Sequence, residues 1–153
     1  MRVPIAFALG AALVSSCHGV EIPPIRALYR LSGCVVASEP PQSVAGPCQL
    51  SETMTLDSAG FSLYEDGSGF WAETRTDRQP GSEPVVTSSR MPFRYWYVGN
   101  DLVISVTMGQ SGTAGAQWGF ELKCQPDQTF YHTMNERAQP GSGQVISTIF
   151  TAS

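Results

Sequence analysis

The chain has few charges and very little lysine. Its 153 residues include 9 Lys and Arg, 13 Asp and Glu and 2 His, and its formal net charge is −4. Removal of residues 1–16, in which Arg2 is the only charged residue, makes the net charge −5. Nucleic-acid binding requires a concentrated Lys/Arg surface that contacts phosphates. The only lysine is Lys123 and no basic cluster occurs, so the composition argues against a nucleic-acid partner.

The chain also lacks the motifs of common catalytic classes. The stretch Gly109–Thr113 departs from the nucleophile-elbow pattern at its last position and does not lie between a predicted strand and a predicted helix. No phosphate-cradling glycine motif and no calcium loop occurs. The acids Glu65 and Asp66, or Glu73 and Asp77, come closest to a glycosidase pair, but acids at turns are usually solvated surface groups. The sequence therefore predicts a protein that is not an enzyme and holds no cofactor.

No run near the N-terminus reaches the roughly 20 apolar residues that span a bilayer. The segment nevertheless has the organisation of an export signal. Arg2 supplies a positive charge, Val3–Val14 is apolar, and Ser15 and Ser16 are small residues of the kind that precede a cleavage point. The sequence therefore predicts export of the remainder of the chain.

The residues VSSC at positions 14–17 resemble the lipobox of bacterial lipoproteins. In that family, a branched apolar residue and two small residues precede a cysteine that is lipidated and becomes the new N-terminus. The resemblance implies that residues 1–16 form the signal peptide, that Cys17 carries the lipid, and that residues 17–24 form a tether to a domain at 25–153.

The residue after the lipobox bears on localisation. His18 stands where aspartate would retain a lipoprotein of this family at the inner membrane. The resemblance therefore implies a lipid anchor in the outer membrane of a bacterial envelope, facing the periplasm or the cell surface. Ordinary signal cleavage near Cys17 or Gly19 is one alternative, and it would produce a soluble secreted protein; an uncleaved anchor is the other.

The cysteines suit an oxidising compartment. If Cys17 is lipidated, Cys34, Cys48 and Cys124 remain, so at most one intramolecular disulfide forms. We prefer the pair Cys34 and Cys48, because they bracket an irregular loop rich in proline and glycine; a Cys34 pairing with Cys124 stays open. No CxxC spacing occurs, and we therefore expect no metal site.

Residues 25–153 are long enough for one domain with one core. Apolar residues alternate with polar ones along most of this range, and turn residues interrupt them at short intervals, which is typical of an all-β meander. The predicted strands are Arg26–Ala37, Gln49–Leu56, Phe61–Glu65, Phe70–Thr76, Val85–Ser89, Phe93–Val98, Leu102–Met108, Gln117–Cys124, Thr129–Met134 and Gln144–Thr151.

The turns are predicted from local chemistry. Asp66-Gly67 between alternating runs favours a hairpin, because glycine tolerates the positive φ of a tight turn. We expect a further turn at Asp57–Gly60, and a bend or a sheet edge at Met91-Pro92. Eight to ten antiparallel strands close most readily as a single up-and-down barrel, which removes exposed edges.

This pattern resembles bacterial lipoproteins with a lipocalin-like, or more broadly calycin-like, barrel domain. The resemblance is carried by YRL at 29–31, MTLDSAG at 54–60, YEDGSGFW at 64–71 and FRYWYVGNDL at 93–102. It implies an up-and-down barrel whose interior either holds an apolar ligand or is packed with side chains.

Aromatic residues are the best functional candidates. The predicted ligand-lining residues are Phe93, Tyr95, Tyr97, Trp118, Phe120 and His132. Core packing is the alternative for these aromatic residues, because small barrels fill their interiors with side chains. Trp71 and Trp96 lie on the face opposite their apolar neighbours, where an exposed aromatic group would indicate a partner surface.

Two functions follow from these candidates. The first is binding of a small apolar ligand inside a lipid-anchored barrel. The alternative is a protein-interaction or inhibitor module that acts through barrel loops such as Asp77–Pro84 and Gly109–Gly115. Envelope proteins are the expected partners in that case, and we expect no nucleic acid in either.

Overall fold

The computed structural model of the protein describes residues 27–108 and 116–153, with the backbone alone described at 107, 108 and 116–118. The ten strands in these ranges are β1 (Ala27–Val36), β2 (Gln42–Ala45), β3 (Cys48–Gln49), β4 (Met54–Leu63), β5 (Ser68–Asp77), β6 (Val85–Val98), β7 (Asp101–Met108), β8 (Ala116–Cys124), β9 (Phe130–Thr133) and β10 (Val145–Ala152). None of the described residues belongs to a helix that is long and apolar enough to cross a membrane.

Eight of these strands close into an antiparallel barrel. The strand order is β2-β1-β10-β9-β8-β7-β6-β5-β4-β3, and the pairing of β1 with β4 joins the two sides of the sheet. The predicted all-β, up-and-down barrel is confirmed, and the fold is consistent with a calycin-like architecture. Most neighbouring barrel strands are also neighbours in sequence, as is expected for a meander.

The two additional strands cover the place where β1 and β4 separate. The N-terminal half of β1 pairs with β4, whereas Gly33–Val36 pairs with β2, and Leu56 of β4 pairs with Cys48 of β3. The disulfide between Cys34 and Cys48 ties this patch to β1, and both cysteines are fully buried. The predicted pairing of these two cysteines is therefore confirmed.

The predicted turn at Asp57–Gly60 is wrong, because β4 passes through it without interruption. A register shift between Leu56 and Ser58 forms a bulge that absorbs one residue without ending the strand. The hydroxyl of Thr76 on β5 donates to the Asp57 carboxylate at 2.5 Å. A Cβ on Gly60 would lie 2.8 Å from the Tyr29 carbonyl oxygen, so this glycine serves close strand packing rather than a turn.

The break predicted between two short strands near Met91-Pro92 is also wrong, because β6 is continuous from Val85 to Val98. Tyr95 donates its N–H to the Gly67 carbonyl at 2.9 Å. The Gly67 and Tyr95 pair is therefore hydrogen-bonded. Because hydrogen-bonded and non-hydrogen-bonded pairs alternate along an antiparallel ladder, the Phe70 and Pro92 pair, three positions away, is non-hydrogen-bonded. The missing N–H of Pro92 therefore costs no bond to β5. No strand in residues 27–108 and 116–153 pairs with the other side of Pro92, so this residue lies on an edge, which was one of its two predicted positions.

The hairpin predicted at Asp66-Gly67 joins β4 to β5. Gly67 has φ +85°, a conformation that glycine adopts without the strain of a Cβ. The Asp66 carboxylate accepts hydrogen bonds from the Ser68 hydroxyl at 2.5 Å and the Ser68 N–H at 2.9 Å. These hydrogen bonds lower the pKa of Asp66. Local turn chemistry therefore determines this reversal, in contrast to Asp57–Gly60.

The barrel interior is filled by aromatic and aliphatic side chains. Phe61 lies in the middle of an aromatic cluster, with its ring centroid 4.9 Å from Tyr29, 5.4 Å from Phe150 and 5.7 Å from Trp71. Phe130 packs edge-on against Tyr29 and Phe61. Large side chains thus occupy the central section of the barrel.

The barrel has two different ends. The turn end carries the short reversals at 64–67, 99–100 and 125–129, and the loop end carries the connections at 37–41, 50–53, 78–84 and 134–144. The β5 and β6 hairpin reaches the loop end, where Val85 and Val86 are 61% and 63% exposed. The two ends therefore offer different surfaces to other molecules.

Candidate functional site

A small cavity opens inside the barrel at the loop end. Its volume is about 90 Å³. We call it the mouth cavity, and its lining includes Trp71, Glu73, Arg75, Met91, Phe120 and His132. These side chains come from β5, β6, β8 and β9, so the barrel closure assembles the cavity.

An ion pair lies within the mouth cavity. Trp71 donates its indole N–H to Oε1 of Glu73 at 2.9 Å, and Arg75 donates from Nε to Oε2 of the same carboxylate. The Glu73 side chain is only 13% exposed, whereas that of Arg75 is 38% exposed. A partly buried carboxylate requires such donors because it has lost most of its water. Glu73 is therefore already occupied by groups of its own strand.

His132 stands against aromatic rings at the same cavity. Its ring centroid lies 4.6 Å from Phe120 and 6.1 Å from Trp71. Burial lowers the pKa of His132, nearby Glu73 raises it in part, and Arg75 lowers it further. The environment therefore favours the neutral imidazole.

Substituting His132→Gln is expected to flatten the dependence of stability on pH. Because the folded-state pKa is lowered, the stabilising contribution is complete above the unperturbed pKa of about 6.5 and is lost as the pH falls toward the folded-state pKa. Wild-type protein should therefore lose more unfolding free energy than the variant between about pH 7 and about pH 5. Urea unfolding at both pH values measures this difference, and parallel losses in the two proteins would contradict it.

The predicted ligand-lining residues separate into two groups. Phe120 and His132 line the mouth cavity. Phe93 and Tyr95 are 4% and 6% exposed and fill the core toward the turn end, where the Tyr95 hydroxyl donates to the Tyr64 carbonyl at 2.5 Å.

Four further predictions are placed as follows. Tyr97 is half-buried beside Tyr95, and burial raises the pKa of its phenol. The side chain of Trp118 lies outside the described residues, as do Cys17 and the predicted loop Gly109–Gly115. Among the five predicted lining residues whose side chains the structure describes, only Phe120 and His132 share a cavity.

Sequence reasoning missed the cavity residues Arg75 and Met91, and it set Glu73 aside as a solvated acid. Trp71, which the sequence placed on the face opposite its apolar neighbours, is 4% exposed and lies inside the barrel. Glu73 and Arg75 follow it at two-residue spacing on β5, so all three side chains belong to the same inward face. That pattern was a usable signal. Charged side chains near strand ends are more often solvated, and because of that expectation the inward position of Glu73 and Arg75 was not predicted.

The loop end also carries an apolar cleft outside the barrel. Its volume is about 240 Å³, and Pro40, Pro41, Pro140 and Ile146 contribute to its lining. The two loops that form it are joined by backbone hydrogen bonds, Ala37 N–H to the Gln144 carbonyl at 2.8 Å and Gly143 N–H to the Ala37 carbonyl at 3.0 Å. The cleft is therefore built from tethered segments.

In residues 27–108 and 116–153, no group of three or more His, Cys, Asp and Glu side chains is placed to hold a metal ion. Cys124, at the end of β8, is disulfide-bonded. Comparison with protein-family models, curated proteins and solved structures found no match for this chain.

Proposed function

We propose that this protein is an exported, non-enzymatic binding module that captures a partner protein with the loop end of its barrel. The observation that carries this proposal is the filled interior. The mouth cavity measures about 90 Å³, whereas pockets for drug-sized ligands measure roughly 300–1,000 Å³. The space inside the barrel therefore favours protein capture over a small apolar ligand.

The loop end combines loops on a rigid scaffold with exposed apolar surface, which are features of protein-binding sites. A rigid barrel holds several connections at one end, and binding residues are commonly found on loops that a rigid scaffold positions. The cleft beside Pro40 and Pro140 and the exposed side chains of Val85 and Val86 provide apolar contact area there. These surfaces support recognition of a macromolecule.

The absence of enzymatic activity is part of this proposal. His132 is the histidine of the described domain, and no serine, threonine or cysteine side chain in residues 27–108 and 116–153 is hydrogen-bonded to it. Glu73 is engaged by Trp71 and Arg75. A nucleophile paired with a general base would be the expected sign of acyl-transfer chemistry.

Export is supported by the disulfide between Cys34 and Cys48, because such bonds persist in oxidising compartments. The lipid anchor on Cys17 stays a prediction, and Cys124 bears on it. With Cys34 and Cys48 bonded to each other, a disulfide of Cys124 requires the sulfur of Cys17 or of a second chain. A thioether-linked lipid would use the Cys17 sulfur, so within one chain the anchor and that disulfide exclude each other.

Intact mass of protein purified from native cells decides between these states. An acylated mass beginning at Cys17 would establish the anchor. A mass without acyl chains that increases by four hydrogens on reduction would establish a secreted form with two disulfides. Either result is compatible with a binding module, and a chain that retains residues 1–16 would contradict cleavage of the signal.

Site-specific photo-crosslinking tests the proposed function. A photoreactive amino acid is introduced at exposed Gln139 on the loop end or at exposed Glu65 on the turn end, and the full chain is irradiated in its native cells. We expect a discrete protein adduct from position 139 and none from position 65. No adduct at either position, or a stoichiometric apolar compound in the native mass spectrum, would contradict the proposal.

A further inference from the structure

One edge of β6 is unpaired in the described structure. The strand pairs with β5 along Val85–Arg94, but with β7 only along Arg94–Val98. In residues 27–108 and 116–153, no strand pairs with the other side of Val85–Phe93. We call this segment the free edge. Such an edge presents N–H and C=O groups that another strand can use.

The direction of these groups follows from one hydrogen bond. The Tyr95 N–H points to β5, where it meets the Gly67 carbonyl. Because backbone groups alternate in direction along a strand, Val86, Ser88 and Arg90 direct their N–H and C=O groups away from β5. Every residue from 85 to 90 is exposed, and none of the described strands covers this side of β6. The series of available N–H donors along the free edge ends before Pro92, because proline has no N–H to donate.

The side chains along the free edge differ on its two faces. Met91 faces inward and lines the mouth cavity. Arg90 faces outward, with its guanidinium carbon 5.1 Å from the centre of the Phe70 ring. Arg90 is the only charge in Val85–Phe93, and none of the ion pairs between described residues includes it. The outer face therefore offers a cation to a partner with carboxylates.

We propose that the free edge binds an extended segment of the partner protein as an added antiparallel β-strand, and that this segment alternates apolar and acidic residues. The inference rests on the proposed function and identifies the chemistry of the partner. Main-chain hydrogen bonds provide affinity in this mode of recognition, and alternate side chains provide specificity. One apolar side chain next to Met91 faces the mouth cavity, while acidic side chains on the other face approach Arg90.

The charge pattern favours such a partner over a second copy of this chain. Another copy would bring a further Arg90 to the same edge, where like charges repel. An acidic strand instead places opposite charges across the new pair, and such cross-strand pairs are stabilising.

Peptide binding to the full mature protein tests the inference. The probe is a fluorescent peptide that alternates Val and Glu, used at neutral pH, and the control peptide alternates Val and Lys. Ser88→Pro removes one N–H from the free edge and opposes strand pairing, whereas Ser88→Ala retains the N–H at the same position. We expect the Val–Glu peptide to bind wild type and Ser88→Ala alike and to bind Ser88→Pro at least about tenfold more weakly.

Arg90→Glu provides a second variant that leaves every backbone group in place. We expect it to reverse the preference, so that the Val–Lys peptide binds more tightly than the Val–Glu peptide. Thermal unfolding checks that the variants are folded. Ser88→Pro should retain the wild-type transition, because the lost N–H does not point to β5.

The outcomes separate the inference from the proposed function. Equal binding of the Val–Glu peptide to wild type and Ser88→Pro, or no binding to wild type, overturns strand addition. If the crosslink from Gln139 persists in Ser88→Pro, the loop end captures a partner by another route and only the strand addition fails. Concentration-dependent self-association of wild type that Ser88→Pro abolishes would also overturn the inference, with a second copy as the occupant.

Discussion

Substituting Phe61→Ala is expected to lower the free energy of unfolding by about 3–5 kcal/mol. Phe61 is 1% exposed, and its ring contacts the rings of Tyr29, Trp71 and Phe150. Truncation would remove buried apolar area and leave a cavity that these large rings fill only in part. The cost is high because the cluster joins β1, β4, β5 and β10 across the barrel.

Urea unfolding of the variant measures this loss. Trp96→Ala is the matched control, because it removes a larger aromatic group from a position that is 48% exposed. That substitution should cost less than about 1 kcal/mol, since surface changes away from packed groups are usually small. Equal losses for the two variants would show that the aromatic cluster does not hold the barrel together.

Replacing Cys34 and Cys48 together by Ala is expected to cost roughly 3 kcal/mol. The two cysteines are 14 positions apart, and the chain-entropy treatment assigns about this value to a loop of that size. The effect should be strongest locally, because the bond holds β2 and β3 over the place where β1 and β4 separate.

Thermal unfolding and amide hydrogen exchange measure both parts of this prediction. We expect a lower unfolding temperature and faster exchange at Gly33–Val36, whose partner strand β2 loses its tether. Ser43→Ala on exposed β2 is the control, and it should change neither quantity. An unchanged transition in the double variant would mean that strand pairing alone holds the patch.

Local chemistry was sufficient to predict some turns but not others. Asp66-Gly67 reverses the chain because glycine takes a positive φ and the Asp66 carboxylate is satisfied within the turn. At Asp57–Gly60 the same residue types occur in a continuous strand. There Asp57 bonds to Thr76, and β1 packs closely over Gly60, so contacts with residues distant in sequence prevail over local preference.

The candidate site was predictable in part. Alternation placed Phe120 and His132 on inward faces, and the structure places both at the mouth cavity. Alternation does not indicate at which height along the barrel axis an inward residue lies. Phe93 and Tyr95 were therefore predicted to share a lining with Phe120 and His132, but they belong to the core toward the turn end. Height depends on register, which the sequence pattern of one strand does not contain.

By itself, the sequence determined the all-β class and the antiparallel meander, because period-two alternation and turn residues are local properties. Loop composition favoured the Cys34 and Cys48 disulfide but left a Cys34 pairing with Cys124 open, and the structure decided between them. Only the tertiary structure decided the closure of β1 on β4, the bulge at Leu56/Ser58, the filled interior and the free edge of β6. Each of these depends on how strands far apart in sequence pair and pack. The Glu73 and Arg75 pair depends on both the sequence and the tertiary structure. Alternation turns the two side chains inward, and barrel closure places them beside His132.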